Sequence, residues 1–492
     1  MYHISDCKKY SRCQRLFVLE TESEKQEYRP YVRLDEEVTL LAKEKLGIRD
    51  CFKGERGDPF ERTLQALETE EWLMKARFEY KGLRVKIPFL HRTPEGWEVY
   101  FLFAGLNPRS DDMQFYCDSA WVLKGIGLNI TDWYIIHLNG SYVREEELDP
   151  EKLFIVSDRF YNHKGNPSVR VDEAIASRMR DLSGDIEKMD QLLKDGAPEA
   201  VRTNACAGRS KCRHYAECFP GEKEEDDRSI IHLIGSQHRF EMKKHGLARL
   251  KDADSRLIEG TRQQYAQIKA DENPDGLFVD RPALHAWLES VQFPITFIDF
   301  EWERFAIPPY VGMKPYDVLP FEYSIDILHE DGTRDHKVYL STGDDRRDMA
   351  ENLLKDIPRE GSVMAYNAEG AEKIRIRELA DLFEDLSKPL LDINERMEDL
   401  QLPFENGVIY DVRMRGQWSL KILMSMMDDP GYHDLDIQQG MDAVFEWRHL
   451  DLSEDVENRE QIIENLKAYC GMDSYAMTVV FEWLKKLDGS CA

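Results

Sequence analysis

Two carboxylates stand two residues apart in an otherwise apolar stretch of the chain. The segment "ITFIDFEWERFAIPPY", residues 295–310, is typical of a buried strand that ends on Asp299 and Glu301. Because side chains two apart on a strand point to the same side, these acids repel each other, and more strongly in a partly dry cleft. Divalent cations remove the repulsion, and two-metal phosphoryl-transfer sites hold such ions about 4 Å apart between carboxylates. The pair indicates a cation site, and an exposed strand end is the alternative.

Further polar residues stand where later elements are predicted to begin or end. Tyr469 and Asp473 in "YCGMD" are four residues apart and share one face of the predicted C-terminal helix. The predicted strand "SVMAYN" ends in Asn367, and Glu372, or alternatively Glu369, begins the next helix. In an RNase H-like order of elements these pieces meet at one place, so we expect the acids to surround the same cations.

A cysteine cluster in "ACAGRSKCRHYAECFPG" forms a second group that could bind metal. Its members stand at two equal spacings of six, and they are Cys206, Cys212 and Cys218. Three thiolates leave a tetrahedral site one ligand short. Cys13 in "YSRCQRL" is the expected fourth ligand, with Cys7 as a less favoured alternative and His214 near enough to replace a cysteine.

Length and composition limit the classes of protein that fit. A chain of 492 residues predicts two or three domains. The sequence has no apolar run of membrane-spanning length and no signal-peptide pattern at its N-terminus, which predicts a cytoplasmic protein without a membrane partner. There the nine cysteines favour metal ligation over disulfides. A net charge of −28 argues against a generally basic nucleic-acid coat protein, but a nuclease needs only a locally positive groove.

The order of predicted elements indicates an α/β protein. A charge run at residues 218–229 marks a first break, and residues 230–290 read as a helical connector. After the strand that carries the acid pair, "EDG" predicts a hairpin turn, "AEKIRIRELADLFEDL" a helix, and the C-terminal residues a long helix. Antiparallel strands followed by alternating helices and strands are typical of an RNase H-like fold.

Several segments of the C-terminal half, in order over roughly residues 295–482, together match a known family. They are "IDFEWERFAIPPY", "PFEYSI", "YNAEGAEKIRIRELA", "RMEDLQLPF", "RGQWSLKILM", "GYHDLDIQQGMDA" and "AYCGMDSYAM". This half resembles the DnaQ-like DEDD 3′–5′ exonucleases whose last motif is Y-x-x-x-D. It also resembles a family of uncharacterised bacterial proteins in which a DnaQ-like domain follows a RecB-like one.

The resemblance implies a role for each matching residue. Asp299, Glu301 and Asp473 would coordinate two Mg²⁺ or Mn²⁺ ions, Glu372 would be the fourth acid, and Tyr469 would orient the attacking water. The residues expected to contact nucleic acid are Asn367, Arg413, Arg415 and Lys421. Solvated surface cations are the alternative for the last three.

Two departures from the family pattern concern the second acid. The family has Asp where this chain has Glu372, and the segment "NAEGAEK" lacks the usual aromatic residue and is one residue longer. Asp399 in "RMEDL" is a reserve candidate for this acid, although a structural cap is the favoured interpretation.

The N-terminal half resembles the iron–sulfur RecB-family nucleases, including CRISPR-associated ones. The resemblance implies a [4Fe–4S] cluster on Cys13, Cys206, Cys212 and Cys218, with zinc as the alternative. The family's catalytic Asp and E-x-K motif fall here on Pro88, Phe101 and Phe103, so this nuclease site is predicted to be lost unless Glu98 substitutes.

The sequence thus predicts three regions and one main function. The regions are a RecB-like, PD-(D/E)XK-type domain at 1–222, a helical connector at 223–290 and a DnaQ-like domain with the RNase H fold at 291–492. The predicted function is a metal-dependent 3′–5′ exonuclease that acts on nucleic acid, single-stranded DNA rather than RNA. The alternatives are a catalytically silent nucleic-acid-binding or assembly protein and a metal or redox sensor.

Overall fold

The computed structural model describes residues 1–22, 36–111, 113–206, 212–221, 225–427, 431–437, 439–450 and 456–489. The chain divides into two compact units, and each is assembled from separate segments. The first unit comprises Met1–Val201, Ala207–Phe219 and Arg304–Asp317, and the second comprises Arg202–Cys206, Pro220–Glu303 and Val318–Ala492. Among the described helices, none is long and apolar enough to cross a membrane.

The first unit mixes short helices with a sheet. Its elements in chain order are β1 (Tyr2–His3), α1 (Ile4–Arg12), α2 (Gln14–Glu22), α3 (Glu36–Lys45), β2 (Phe52–Lys53), α4 (Phe60–Thr69), β3 (Trp72–Tyr80), β4 (Leu83–Arg92), β5 (Trp97–Phe103), α5 (Gln114–Gly125), β6 (Ile130–Leu138), α6 (Pro150–Leu153), β7 (Phe154–Ser157), β8 (Arg159–Tyr161), β9 (Pro167–Arg170), α7 (Val171–Arg178), α8 (Ser183–Asp195) and α9 (Tyr215–Cys218).

The main sheet of the first unit has the order β2-β3-β4-β5-β6-β7, and β1 pairs with β4. The strands β3, β4 and β5 are antiparallel neighbours, whereas β6 runs parallel to β5. Parallel neighbours need a crossover, and α5 provides it. Buried and partly exposed residues alternate along β4, which is the pattern of a strand with one face in the core.

The second unit contains the remaining elements. In chain order they are α10 (Arg239–Lys244), α11 (Arg262–Glu272), β10 (Leu277–Val279), α12 (Arg281–Glu289), β11 (Ile295–Arg304), β12 (Val318–Leu328), β13 (Arg334–Leu340), α13 (Arg346–Asp356), β14 (Val363–Ala365), α14 (Glu372–Leu382), α15 (Glu384–Glu395), β15 (Met397–Asp399), α16 (Leu402–Glu405), β16 (Ile409–Asp411), α17 (Leu420–Ser425), α18 (Gly440–Leu450) and α19 (Val456–Asp488). Short 3₁₀ turns lie at Asn204–Cys206, Ile230–His232, Leu250–Asp252, Val412–Met414 and Gly431–Asp434.

The main sheet of the second unit has the order β13-β12-β11-β14-β15, so β11 lies at its centre. Strands β14 and β15 run parallel to β11, and β13 is antiparallel to β12. Ile298 and Phe300 of β11 pack with buried residues of α13, α14 and α15. Phe297, which points to the opposite face, contacts Phe481 of α19 at 5.7 Å between ring centres. Helices therefore cover both faces, as expected of a buried α/β sheet.

The mixed α/β class is confirmed, and three local predictions are corrected. The strand of the acid pair does not end on the acids, because β11 continues with Trp302 in the core and Glu303 paired to Arg448. The helix predicted over "AEKIRIRELADLFEDL" is two helices, since Phe383 leaves the helical conformation and packs its ring on the core.

The third correction concerns the helical connector. Between α10 and α11 the described chain forms only a 3₁₀ turn, Leu250–Asp252, because Leu250 anchors this stretch in a small core of its own while Gly246 and Gly260 adopt positive φ angles. Strand β10 in the same region pairs with β16, so the segment belongs to the second unit.

Candidate metal centre

Three carboxylates from distant parts of the sequence meet in the second unit. Asp299 and Glu301 extend from β11, and Asp473 extends from α19. One ligand oxygen of each lies within 4.8 Å of those of the other two. The alternation of side chains along β11 places both of its acids on the face that α19 covers, opposite the α13–α15 core. The acid set predicted from the i, i+2 and i, i+4 spacings is thus brought together.

The electrostatics of this trio favour a bound cation. Burial raises the pKa of Asp299 well above its usual range, and the charge of Asp473 raises it further. The pKa of Glu301 is raised for the same two reasons. Burial raises the pKa of Asp473 to about 6, against hydrogen bonds and the nearby Lys421 charge, which lower it. Since the negative charge of Asp473 disfavours ionisation of Asp299 and Glu301, a divalent cation would stabilise the ionised forms of the three acids.

Glu372 is the first residue of α14 and lies beside the trio. Its side chain is 3% exposed, and its Oε2 has no hydrogen-bond partner in the described part of the chain. Burial raises its pKa to about 8. Its charge in turn raises the pKa of Asp299, so the two carboxylates are within electrostatic reach. Its oxygens are not among the ligand oxygens that lie within 4.8 Å of one another, so its place in the metal centre remains a prediction.

The two alternatives to Glu372 point elsewhere. Glu369 is exposed, and its carboxylate pairs with Lys373 at 2.7 Å. Asp399 accepts hydrogen bonds from the backbone N–H groups of Asn367 at 3.0 Å and Gln401 at 2.9 Å. These bonds fit the structural cap that the sequence favoured for Asp399.

Two tyrosines and a lysine border the trio. The Tyr432 hydroxyl donates a hydrogen bond to Asp473, and a hydrogen bond with Tyr469 also lowers the pKa of this acid. The ammonium group of Lys421 lies 3.4 Å from the Tyr469 hydroxyl and above both aromatic rings, at 5.1 and 5.2 Å. Burial raises the pKa of both tyrosines, so both keep their hydroxyl hydrogen. Three cationic side chains were expected to contact phosphate. Of these, Lys421 lies next to the three carboxylates.

Gly440, the first residue of α18, leaves space next to these groups. A β-carbon at this position would lie 3.7 Å from both carboxylate oxygens of Glu301 and 3.8 Å from the Tyr469 hydroxyl. The start of α18 therefore borders Glu301 and Tyr469.

The other residues expected to contact nucleic acid have different surroundings. Arg413 pairs with Asp411 at 2.7 Å, and Arg415 pairs with Asp227 at the same distance. Asn367 is exposed and adopts a positive φ of 65°. These positions neither require nor contradict contact with a nucleic acid, so that role remains a prediction.

Sequence reasoning missed two residues of this neighbourhood. Tyr432 lies in the 3₁₀ turn Gly431–Asp434, and no periodicity of the sequence relates it to Asp473. Glu322 lies in β12, and it is fully buried. The signal that could have found Glu322 is an acid in the middle of the apolar run "VLPFEYSIDIL".

The cysteine cluster divides between the two units. Cys13, Cys212 and Cys218 belong to the first unit, and Cys206 belongs to the second. Within the first unit, Arg15 donates through Nε to the Cys218 sulfur at 3.2 Å, so α9 lies next to the residues that follow Cys13. None of the eight described cysteines is in a disulfide. These cysteines do not form a group of three or more described ligands within 4.8 Å of one another, so a metal centre on them remains a prediction.

His214 is engaged with acids. Its Nδ1 lies 2.8 Å from Glu217 and its Nε2 lies 3.4 Å from Glu20. These contacts disfavour His214 as a replacement for a cysteine.

Aromatic side chains, Phe101 and Phe103, occupy the positions at which the predicted RecB-like site would have its E-x-K motif. Phe101 is fully buried, and its ring contacts those of Tyr116 at 4.9 Å and Phe115 at 5.5 Å. The candidate substitute Glu98 accepts from Tyr100 and contacts His91, both at 2.9 Å. Cations such as Mg²⁺ need several oxygen ligands, whereas these positions provide aromatic rings and one carboxylate that already has hydrogen-bond partners.

Comparison with known proteins gives one match. Residues 296–419, about a quarter of the chain, match the model of a family described as a domain of unknown function, DUF2779. The matched segment contains Asp299, Glu301 and Glu372 and ends before Tyr469 and Asp473. No curated protein and no solved structure matches the chain.

Proposed function

We propose that the second unit is a metal-dependent 3′–5′ exonuclease that hydrolyses phosphodiester bonds of nucleic acid, single-stranded DNA in preference to RNA. The observation that carries the proposal is the convergence of Asp299, Glu301 and Asp473, whose ligand oxygens lie within 4.8 Å of one another. The direction of digestion and the preference for DNA rest on the resemblance to DEDD exonucleases.

In this proposal, Asp299, Glu301, Asp473 and Glu372 hold two Mg²⁺ or Mn²⁺ ions. Bound ions of this kind lower the pKa of water and neutralise charge that develops on a phosphate. Tyr469 keeps its hydroxyl hydrogen and is suited to orient the attacking water, and Lys421 supplies positive charge beside it. Hydrolysis forms a bond from the water oxygen to phosphorus and breaks the bond to the 3′ oxygen, which releases a nucleoside 5′-monophosphate.

The order of elements also supports this assignment. In the second unit, the central strand β11 carries the acid pair, parallel strands lie on one side of it and an antiparallel hairpin on the other, and α19 carries the last acid. This is the arrangement expected of an RNase H-like exonuclease domain. The antiparallel β3-β4-β5 followed by α5 and the parallel β6 supports a RecB-like, PD-(D/E)XK-type first unit.

For the first unit we propose an accessory role rather than a second nuclease site. The aromatic packing around Phe101 favours the absence of catalysis there. Cys13, Cys212 and Cys218, with Cys206, would hold a [4Fe–4S] cluster or, as the alternative, zinc. If the acids of the second unit were also silent, the whole chain would be a non-catalytic nucleic-acid-binding or assembly protein.

A nuclease assay with one isosteric variant tests the proposal. Single strands of DNA or RNA labelled at the 5′ end are incubated with Mg²⁺ or Mn²⁺, and products shortened from the 3′ end are followed. Asp299→Asn should reduce the rate by at least about 100-fold, since the site loses a ligand at its centre. Asp381→Asn, an exposed acid at the end of α14, is the matched control and should leave the rate unchanged.

Two results would contradict the proposal. Equal digestion by the parent and Asp299→Asn would assign the activity to a contaminating nuclease. An inactive parent with both metals and both substrates would favour the silent binding protein.

A further inference from the structure

Glu322 is a buried acid for which the described residues provide no hydrogen-bond partner. It lies in β12 with 0% exposure, and neither of its carboxylate oxygens has a hydrogen-bond partner in the described part of the chain. Burying a carboxylate without a partner costs several kcal/mol, so buried acids are normally paired or bind a cation. Protonation alone does not resolve this, because a neutral carboxyl group would still have an O–H donor without an acceptor.

Other buried acids of the same sheet have partners. Asp326 lies four residues further along the same face of β12 and is 1% exposed. Its carboxylate contacts three side chains, namely Ser474 at 2.6 Å, His336 at 3.0 Å and Arg334 at 3.4 Å. Glu303, which is fully buried in β11, pairs with Arg448. Unlike these two acids, Glu322 has no hydrogen-bond partner for either carboxylate oxygen among the described residues.

The position of Glu322 directs it towards the metal centre. Glu322 and Ser324 lie on the same face of β12, and the Ser324 hydroxyl donates to the Cys470 carbonyl of α19 at 2.5 Å. The Cys470 sulfur in turn lies 3.9 Å from the carboxylate of Asp299. Strand β12 is the hydrogen-bonded neighbour of β11. Glu322 is therefore one strand away from Asp299 and Glu301, under the same turn of α19 that carries Asp473.

Mutual effects on the titration of these acids agree with that position. The charge of Glu322 contributes to the raised pKa values of both Asp299 and Glu301. Burial raises the pKa of Glu322 to about 8, the charge of Lys467 lowers it, and the charge of Asp473 raises it. The ligand oxygens that lie within 4.8 Å of one another belong to Asp299, Glu301 and Asp473, so Glu322 would have to approach them to share a cation.

We propose that Glu322 is a further ligand of this centre and that it joins the acid pair on β11 when a divalent cation of the Mg²⁺ or Mn²⁺ class binds. The inference rests on the proposed function, since it assumes that the centre holds divalent cations. Such ions prefer carboxylate oxygens. Strand β12 lies on one side of β11 in the sheet, and β14, which precedes the helix of Glu372, lies on the other, so a ligand from β12 would approach the ions from the side opposite Glu372.

Mn²⁺ binding to the intact protein tests the inference without reference to activity. The parent and Glu322→Gln are compared by titration calorimetry with Mn²⁺ and by thermal unfolding with and without Mn²⁺. Glu322→Gln should bind Mn²⁺ at least about tenfold more weakly and show a smaller Mn²⁺-induced rise in Tm. Without metal and above pH 8, where the Glu322 carboxylate of the parent is charged, the Tm of Glu322→Gln should equal or exceed that of the parent, because the amide removes a buried charge. If Glu322 had only a structural role, the variant would be less stable than the parent. Glu330→Gln, in the exposed turn after β12, is the control and should behave as the parent.

The failures of the two proposals give different results. If the parent binds Mn²⁺, Asp299→Asn does not, and Glu322→Gln binds as tightly as the parent, the inference is overturned while the metal centre stands. If the parent binds no Mn²⁺, both are overturned.

Crystals of the parent soaked in Mn²⁺ keep the inference testable if Glu322→Gln does not fold. A peak of anomalous density about 2 Å from a Glu322 oxygen would support it. Peaks at the other acids alone would overturn it.

Discussion

Tyr432 donates a hydrogen bond to Asp473, and this bond determines how readily Asp473 loses its proton. Burial raises the pKa of Asp473 to about 6, and the Tyr432 bond opposes that rise. A hydrogen bond to the charged form of an acid favours ionisation. Removing the bond should therefore raise this pKa further, and a cation would then compete with a more firmly held proton.

We expect Tyr432→Phe to weaken Mn²⁺ binding more at pH 6 than at pH 8. At the higher pH both parent and variant have an ionised Asp473, whereas near pH 6 the variant is more fully protonated. Titration calorimetry at the two pH values measures the effect, and Tyr265→Phe, at an exposed site on α11, is the control. The same loss of affinity at both pH values would contradict the explanation.

At the scale of elements, α14 places Glu372 because the helical face that carries it is also anchored in the core, through Leu379 seven residues later. Leu379 is 1% exposed and packs among the residues between the sheet and α13, whereas Leu382 on the same helix is 45% exposed. Leu379→Ala should lower the free energy of unfolding by roughly 2–5 kcal/mol, since it leaves a cavity. Leu382→Ala should change it by less than about 0.5 kcal/mol. Urea denaturation monitored by tryptophan fluorescence measures both, and equal losses would contradict this account of how the helix is held.

The elements also show what the sequence could and could not predict. The strand, the "EDG" hairpin and the long terminal helix follow from periodicity and turn chemistry, so the acids at i, i+2 on β11 and the acid on α19 were predictable. Glu322 was missed because its lack of hydrogen-bond partners depends on which side chains surround it in the folded sheet. The break between α14 and α15 was missed because Phe383 leaves the helix to pack its ring, a tertiary effect that overrides local propensity.

At the scale of the whole molecule, the charge of −28 affects how a polyanion can approach. Nucleic acid is repelled by a chain of this charge, and salt screens the repulsion beyond about 8 Å at physiological ionic strength. Close to the trio, Lys421 provides positive charge, and bound divalent cations would add more. Substrate and metal would therefore favour each other's binding, which is a physical reason for an acidic protein to carry such a site.

Cys13 and Cys218 lie near opposite ends of the first unit's sequence, so a metal cluster on them would close a loop that spans most of the unit. Closing a long loop and binding metal both stabilise the folded state.

We expect the anaerobically purified parent to be brown and to contain iron and sulfide. Cys218→Ser should lose both and unfold at a lower temperature, whereas Cys51→Ser, a thiol outside the cluster, should retain both. Elemental analysis separates the alternatives: a colourless parent that contains zinc would replace the iron–sulfur cluster with a zinc site, and a parent without either metal would contradict both.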